Sequence, residues 1–107
     1  MLNLENLNQL ADGDEALREK LLAAFFQTTR EDILNLKTAV HNHQSPLVAS
    51  FAHRIKGGAA ILGAEQLVSL ANDLEIAGHQ SNHSQYEKRF DDLQAHFKKI
   101  EHLFPGF

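Results

Sequence analysis

The stretch SPLVASFAHRIKGGAAILG, residues 45–63, predicts a helix with a buried side and an unusual exposed side. Ser45 as the N-cap and Pro46 at the first helical position favour a helix start, and Gly63 favours its end after Leu62. At about 100° per residue from His53, four large apolar residues fall between about 160° and about 220°. They are Val48, Phe51, Ile55 and Leu62. His53 therefore lies opposite the predicted core, and we expect it to be exposed to solvent.

Small residues surround His53 on this predicted exposed side. They are Ala49, Ser50, Gly57 and Ala60. Lys56 is the exception, and it places a positive charge one turn from the imidazole. Exposed helix faces usually carry long charged side chains, and a glycine destabilises a helix interior by about 0.5–1 kcal/mol relative to alanine. A functional interpretation is that another protein docks closely on this face and reaches His53.

A structural interpretation of the same glycines is open as well. Gly57 and Gly58 would also permit tight packing against a neighbouring helix, and His53 would then be an ordinary solvated residue. The pattern by itself does not decide between docking and packing.

Helical spacing of apolar residues continues on the N-terminal side of this stretch. A short helix is expected over residues 4–10, with Leu4, Leu7 and Leu10 on one side. Residues 14–42 are expected to form either one long helix or two helices with a bend at Thr28-Thr29.

Two further helices are expected on the C-terminal side. One covers residues 64–77 and ends at Gly78, and the other starts at a capping box of Ser84 and Glu87 and ends before Pro105. The prediction is an all-α fold, an antiparallel four-helix bundle with a short additional N-terminal helix, in a single domain spanning residues 1–107.

The composition excludes several classes of function. Ten Lys and Arg against fourteen Asp and Glu give a net charge of −4, which disfavours a nucleic-acid partner. The absence of cysteine removes a thiolate nucleophile and a cysteine-based zinc site, and the seven histidines lack metal-ligand spacing, so no metal is expected. The sequence shows neither a long apolar run nor an export signal, so we expect a cytoplasmic domain that makes no membrane contact itself.

The residues AHRIKGGAA, 52–60, followed by Leu62-Gly63-Ala64 and Leu67, resemble the core of a histidine-containing phosphotransfer (HPt) domain. The chain is most similar to HPt modules found at the C-terminal end of hybrid sensor histidine kinases. The resemblance implies a phosphocarrier in a two-component phosphorelay. His53 would accept a phosphoryl group from an aspartate of one receiver domain and pass it to an aspartate of another.

The resemblance also implies roles for individual residues. Lys56 would stabilise the charge of the phosphoryl group, and Glu75, where the family often has Gln or Glu, could bond to the imidazole and fix its tautomer. The partners would be response-regulator receiver domains. The residues expected to contact them are Ala49, Ser50, Arg54, Gly57 and Ala60.

The resemblance places the remaining machinery outside this chain. No cofactor is expected here, because Mg²⁺ would come with the receiver. The sequence has no phosphate-binding loop of the P-loop type, so we expect a phosphotransfer module without ATP-dependent kinase activity of its own. It would work as a free-standing protein or as the cytoplasmic part of an inner-membrane sensor histidine kinase.

A competing hypothesis belongs to a different functional class. The chain would be a non-catalytic helical adaptor that binds a partner through the small-residue face around Gly57, with His53 a bystander. Uptake of an acid-labile, base-stable phosphoryl label from a phosphorylated receiver would distinguish the two.

Overall fold

The computed structural model describes residues 2–107, and this part of the chain is built of helices without a strand. They are α1 (Glu5–Ala11), α2 (Glu15–His41), α3 (Ser45–Leu62), α4 (Glu65–His79) and α5 (Tyr86–Leu103), with one 3-10 turn at His83–Gln85. Helices α2 to α5 form a bundle within an envelope of 44 × 21 × 20 Å, and α1 packs on α2 and α3. The predicted all-α bundle with an additional N-terminal helix is confirmed.

Helix α2 is continuous through residues 15–41, so the choice between one helix and two is settled in favour of one. Thr29, which suggested a bend, is buried inside the bundle. Asp14 caps the helix start by accepting a hydrogen bond from the Leu17 amide at 3.1 Å. In α1 the expected apolar side is only partly right, because Leu7 is buried whereas Leu10 is exposed.

Helix α3 buries the predicted stripe. Val48, Ile55 and Leu62 are fully buried and Phe51 is half-buried. The helix ends at Gly63, whose φ of +76° suits glycine. The predicted N-cap is wrong, because Gln44 holds that position and Ser45 is already helical.

The Ser45 hydroxyl has another role in the bundle. It accepts a hydrogen bond from the Tyr86 hydroxyl at 2.7 Å, and this bond ties the start of α3 to the start of α5. A side-chain contact made across the fold has therefore replaced the local capping bond that the sequence suggested.

Two other predicted helix boundaries are wrong. Gly78 does not end α4, which continues to His79. A Cβ at Gly78 would lie 2.7 Å from the backbone nitrogen of Ala49, so this glycine allows α3 and α4 to approach closely. The capping box at Ser84 does not form either, because Ser84 lies in the 3-10 turn and donates to Asn82 at 3.0 Å.

Candidate functional site

His53 projects from the outer side of α3, as its position opposite the buried stripe predicted. Its side chain is 67% exposed. One turn further along, a Cβ placed on Gly57 would meet no atom within 4 Å, so the surface beside the imidazole is open. By contrast, a Cβ on Gly58 would lie 3.5 Å from the Phe25 ring of α2. Gly58 therefore packs against a neighbouring helix, whereas helix packing does not account for a glycine at position 57.

Helix α4 brings a carboxylate to the other side of the imidazole. Oε2 of Glu75 lies 3.1 Å from Nδ1 of His53, and the Glu75 side chain is only 14% exposed. The close approach of Gly78 to Ala49 lies about one turn away on the same two helices. The two side chains therefore meet next to the place where the helix backbones approach closely through a glycine.

Lys56 completes the group from α3. Its ammonium nitrogen lies 2.7 Å from Oε1 of Glu75, and it also donates to Oδ1 of Asn72 at 3.4 Å. Oε1 is a buried atom, and the Lys56 ammonium supplies the charge that compensates it. Burial alone would raise the pKa of the Glu75 carboxyl. Hydrogen bonding and positive charge from Lys56, and to a smaller extent from His53, lower that pKa. The net result is a pKa below the ordinary value of 4.5, so Glu75 is ionised at neutral pH.

The ionised carboxylate determines the tautomer of His53. A carboxylate only accepts hydrogen bonds, so Nδ1 must carry the proton and donate it to Glu75. In a neutral imidazole the lone pair then resides on Nε2, which makes no hydrogen bond within residues 2–107. This arrangement presents a nucleophilic nitrogen on an exposed ring that is held in place through its other nitrogen.

The residues expected to contact a partner are not all on the surface. Ser50, Arg54, Gly57 and Ala60 are exposed beside His53. Ala49 is only 5% exposed, where α3 meets Gly78, so it offers little surface to a partner. The exposed surface of small residues around His53 is therefore narrower on the α4 side than the sequence suggested.

Three residues at or next to the site were not assigned from the sequence. His79 has its Nε2 3.5 Å from Oε2 of Glu75, Asn72 contacts Lys56, and the carboxylate of Asp32 pairs with Arg54. The spacing of Asn72 and His79 from Glu75, three and four residues, could have placed both on one face of α4. His79 was missed because α4 was expected to end at Gly78, and no local sequence pattern indicates Asp32.

Across residues 2–107, no three side chains of the His, Asp or Glu type come together as ligands for a metal ion. None of the helices in this range has the length and apolar character needed to cross a membrane.

Comparisons with known proteins agree with this geometry. The family model described as "Hpt domain" matches residues 20–103. The virulence sensor protein BvgS of Bordetella bronchiseptica is 34% identical over 71 residues, and that of Bordetella pertussis is 32% identical over 71 residues. Each match covers 66% of this chain, and the chain spans about 6% of the length of these curated relatives.

A solved structure has the same fold. The crystal structure of histidine-containing phosphotransfer protein B (HptB) from Pseudomonas aeruginosa PAO1 matches with a TM-score of 0.89 at 22% identity. The match covers 96% of this chain and 90% of that chain. The extent of the family match, together with the exposed histidine on a helical bundle, shows that the chain belongs to the Hpt domain family.

Proposed function

We propose that this Hpt domain carries the phosphoryl group of a two-component phosphorelay on Nε2 of His53. The group would come from a receiver-domain aspartate and pass to an aspartate of another receiver. The observation that supports His53 is its exposed imidazole, whose Nδ1 lies 3.1 Å from an ionised carboxylate.

The transfer needs positioning and charge compensation more than covalent machinery. The Nε2 lone pair attacks the phosphorus of the aspartyl phosphate, an N–P bond forms, and the P–O bond to the aspartate breaks. The aspartate leaves as a carboxylate, and the proton on Nδ1 stays in its bond to Glu75. Glu75 thereby stabilises the positive charge that develops on the ring, and the reverse sequence passes the group on.

Lys56 contributes a positive charge to the same site. It neutralises Glu75 at 2.7 Å, which keeps the carboxylate ionised while limiting the negative potential that a phosphoryl group would meet. We assign the Mg²⁺ of the reaction to the receiver domain, as the family resemblance implies; Glu75, the carboxylate beside His53, is paired with Lys56 and with the imidazole.

The cellular setting is part of the proposal. The relatives named above are sensor proteins, and we propose that this module acts in the cytoplasm, on its own or as part of a longer sensor histidine kinase. Its partners are receiver domains of response regulators.

The decisive test is phosphoryl transfer to a His53→Gln variant. The wild-type chain should take an acid-labile, base-stable label from a phosphorylated receiver, and His53→Gln should take none. Glutamine on this exposed face should change the free energy of unfolding by less than about 0.5 kcal/mol, so a melt separates loss of function from loss of fold.

Replacements of two other exposed histidines are the matched controls. His41→Gln and His102→Gln alter the last turns of α2 and α5, and both variants should accept the label normally. A His53→Gln chain that still takes phosphate would show that the phosphoacceptor lies elsewhere.

A further inference from the structure

A buried carboxylate lies beneath the docking face, on the side of His53 away from Glu75. Asp32 of α2 has a side chain that is 5% exposed, and its Oδ1 accepts a hydrogen bond from Nε of Arg54 at 3.0 Å. Arg54 directly follows His53 on α3 and is 57% exposed. Burying the Asp32 carboxylate costs solvation energy, and an arginine that is 57% exposed compensates only part of that cost. Stability alone therefore gives a weak reason for this pair, and the position of the arginine becomes the informative feature.

The pair holds the arginine in a defined place. Arg54 is rotated about 100° around α3 from His53, toward α2. Its neighbours one turn before and after, Ser50 and Gly57, are small and exposed. Beyond the bond to Asp32, the guanidinium makes no other hydrogen bond or ion pair within residues 2–107. Because only Nε bonds to Asp32 and the side chain is 57% exposed, the two terminal nitrogens are left to bind a group on a partner.

The chemistry of the partner fits a guanidinium at this place. A receiver that donates or accepts a phosphoryl group carries it on an aspartate and needs carboxylates to hold a divalent cation beside it. We therefore expect the surface that meets His53 to carry carboxylate and phosphoryl oxygens. The planar fork of arginine donors matches both groups, and a held arginine loses less conformational freedom on binding than a free one.

We propose that Arg54, held by the buried Asp32, recognises the acidic rim of the receiver's phosphorylation site, and that Asp32 is its positioning residue. The inference rests on the proposed function; it specifies what Arg54, already expected to contact the receiver, recognises, and it gives Asp32 a role on the α2 side of His53. Lys56 and Glu75 lie on the α4 side, so an approaching receiver would meet functional groups on both sides of the imidazole.

The test measures transfer kinetics with the phosphorylated receiver that labels the wild-type chain fastest, chosen from a panel. Arg54→Gln should raise the receiver concentration for half-maximal rate by about three- to tenfold, with a smaller change in the maximal rate. It should also flatten the dependence of transfer on NaCl concentration, because an exposed charge acts mainly on association. Asp32→Asn keeps the shape and one acceptor oxygen, and should raise the same concentration about two- to threefold.

The double variant Asp32→Asn/Arg54→Gln separates positioning from general structure. If Asp32 acts through Arg54, the double variant should behave like Arg54→Gln alone. It contains no unpaired buried charge, so it keeps the test valid even if a single variant is unstable in a thermal melt. Arg89→Gln is the matched control, because Arg89 pairs with Asp73 at 3.5 Å on another face, and it should leave the kinetics unchanged.

Two results would overturn the inference. One is an unchanged half-maximal concentration and salt dependence in Arg54→Gln. The other is an effect of Asp32→Asn that is equally large with and without Arg54. If no receiver labels the wild-type chain, the proposed function fails and this inference fails with it. If the wild-type chain is labelled and Arg54→Gln has the same kinetics, only the inference about Arg54 fails.

Discussion

Replacing Gly57 with glutamine should separate binding of the receiver from folding of the bundle. A Cβ on Gly57 meets no atom within 4 Å, and the residue lies in the interior of an 18-residue helix. Alanine there should stabilise the chain by about 0.5–1 kcal/mol, which raises the melting temperature by about 2–8 °C. Glutamine is also a good helix former, so Gly57→Gln should melt no lower than the wild-type chain.

Gly78 supplies the contrasting case. A Cβ at this position would lie 2.7 Å from the Ala49 backbone nitrogen and 3.0 Å from its Cα. Backbone atoms cannot turn aside as a flexible side chain can, so α3 and α4 would have to move apart. Overpacking of this kind costs about 1–3 kcal/mol, against a gain of about 0.5–1 kcal/mol from replacing glycine in a helix. Gly78→Ala should therefore lower the melting temperature, although it adds only one methyl group.

The assay for Gly57→Gln pairs a thermal melt with transfer from a phosphorylated receiver. The side chain would stand one turn from His53, in the path of the docking protein, so transfer should be far slower than in the wild-type chain. Labelling by a small donor such as phosphoramidate should be much less affected, because no protein surface has to fit. Normal transfer from the receiver would refute close docking over Gly57, and an unfolded variant would show that this glycine serves packing.

Three further predictions concern charge. Lys56→Ala should slow phosphoryl transfer about ten- to a hundredfold. It should also raise the pKa of Glu75, because burial raises that pKa and the positive charge of Lys56, which lowers it, would be absent. A ¹³C NMR titration of the Glu75 carboxyl measures this change. In the wild-type chain the lowered pKa of Glu75 adds stability that is present above pH 4.5 and is lost as the pH falls through the pKa of the folded state. Urea unfolding from pH 5 to pH 3 should show this loss of stability. The Glu75→Gln variant should show a smaller loss over the same range. Burial, and to a smaller extent the charge of Lys99, lower the pKa of His96 below 6.5. The imidazole therefore binds a proton more readily in the unfolded chain, so the stability of the fold declines as the pH falls below 6.5. Thermal melts at several pH values should show a smaller decline for His96→Gln.

Periodicity was sufficient to predict which side of α3 faces the core. The spacing of Val48, Ile55 and Leu62 placed His53 on the outside, and the structure has it there. Helical periodicity is a property of the local backbone, so one element can be interpreted without knowing its neighbours. For the same reason the residues near His53 in sequence, such as Lys56 and Gly57, could be named as candidates.

Contacts between helices were the features that could not be predicted. Gly78 has the sequence signature of a helix end, and only the position of Ala49 on another helix shows that it is a packing glycine. Ser45 and Ser84 resemble caps, but their hydroxyls bond to Tyr86 and Asn82. A short polar side chain has several partners within reach, and the tertiary structure decides which one it takes.

The functional site shows the same division. Glu75 was proposed from a family resemblance and lies 3.1 Å from His53, whereas Asp32 lies 22 residues from Arg54 in sequence and carries no local pattern. A buried acid that pairs across two helices becomes visible only when the helices are placed side by side.

The exposed position of His53 has a consequence for the order of events in a relay. The imidazole lies on one open helix surface, so in the proposed relay a donor receiver and an acceptor receiver would have to bind the same surface in turn. Each receiver would have to dissociate before the next one binds. A receiver that has already transferred its phosphoryl group would compete for this surface with phosphorylated receivers. The rate of phosphoryl transfer through the domain would then depend on the relative concentrations of the receivers in the cell. An excess of dephosphorylated donor would lower that rate.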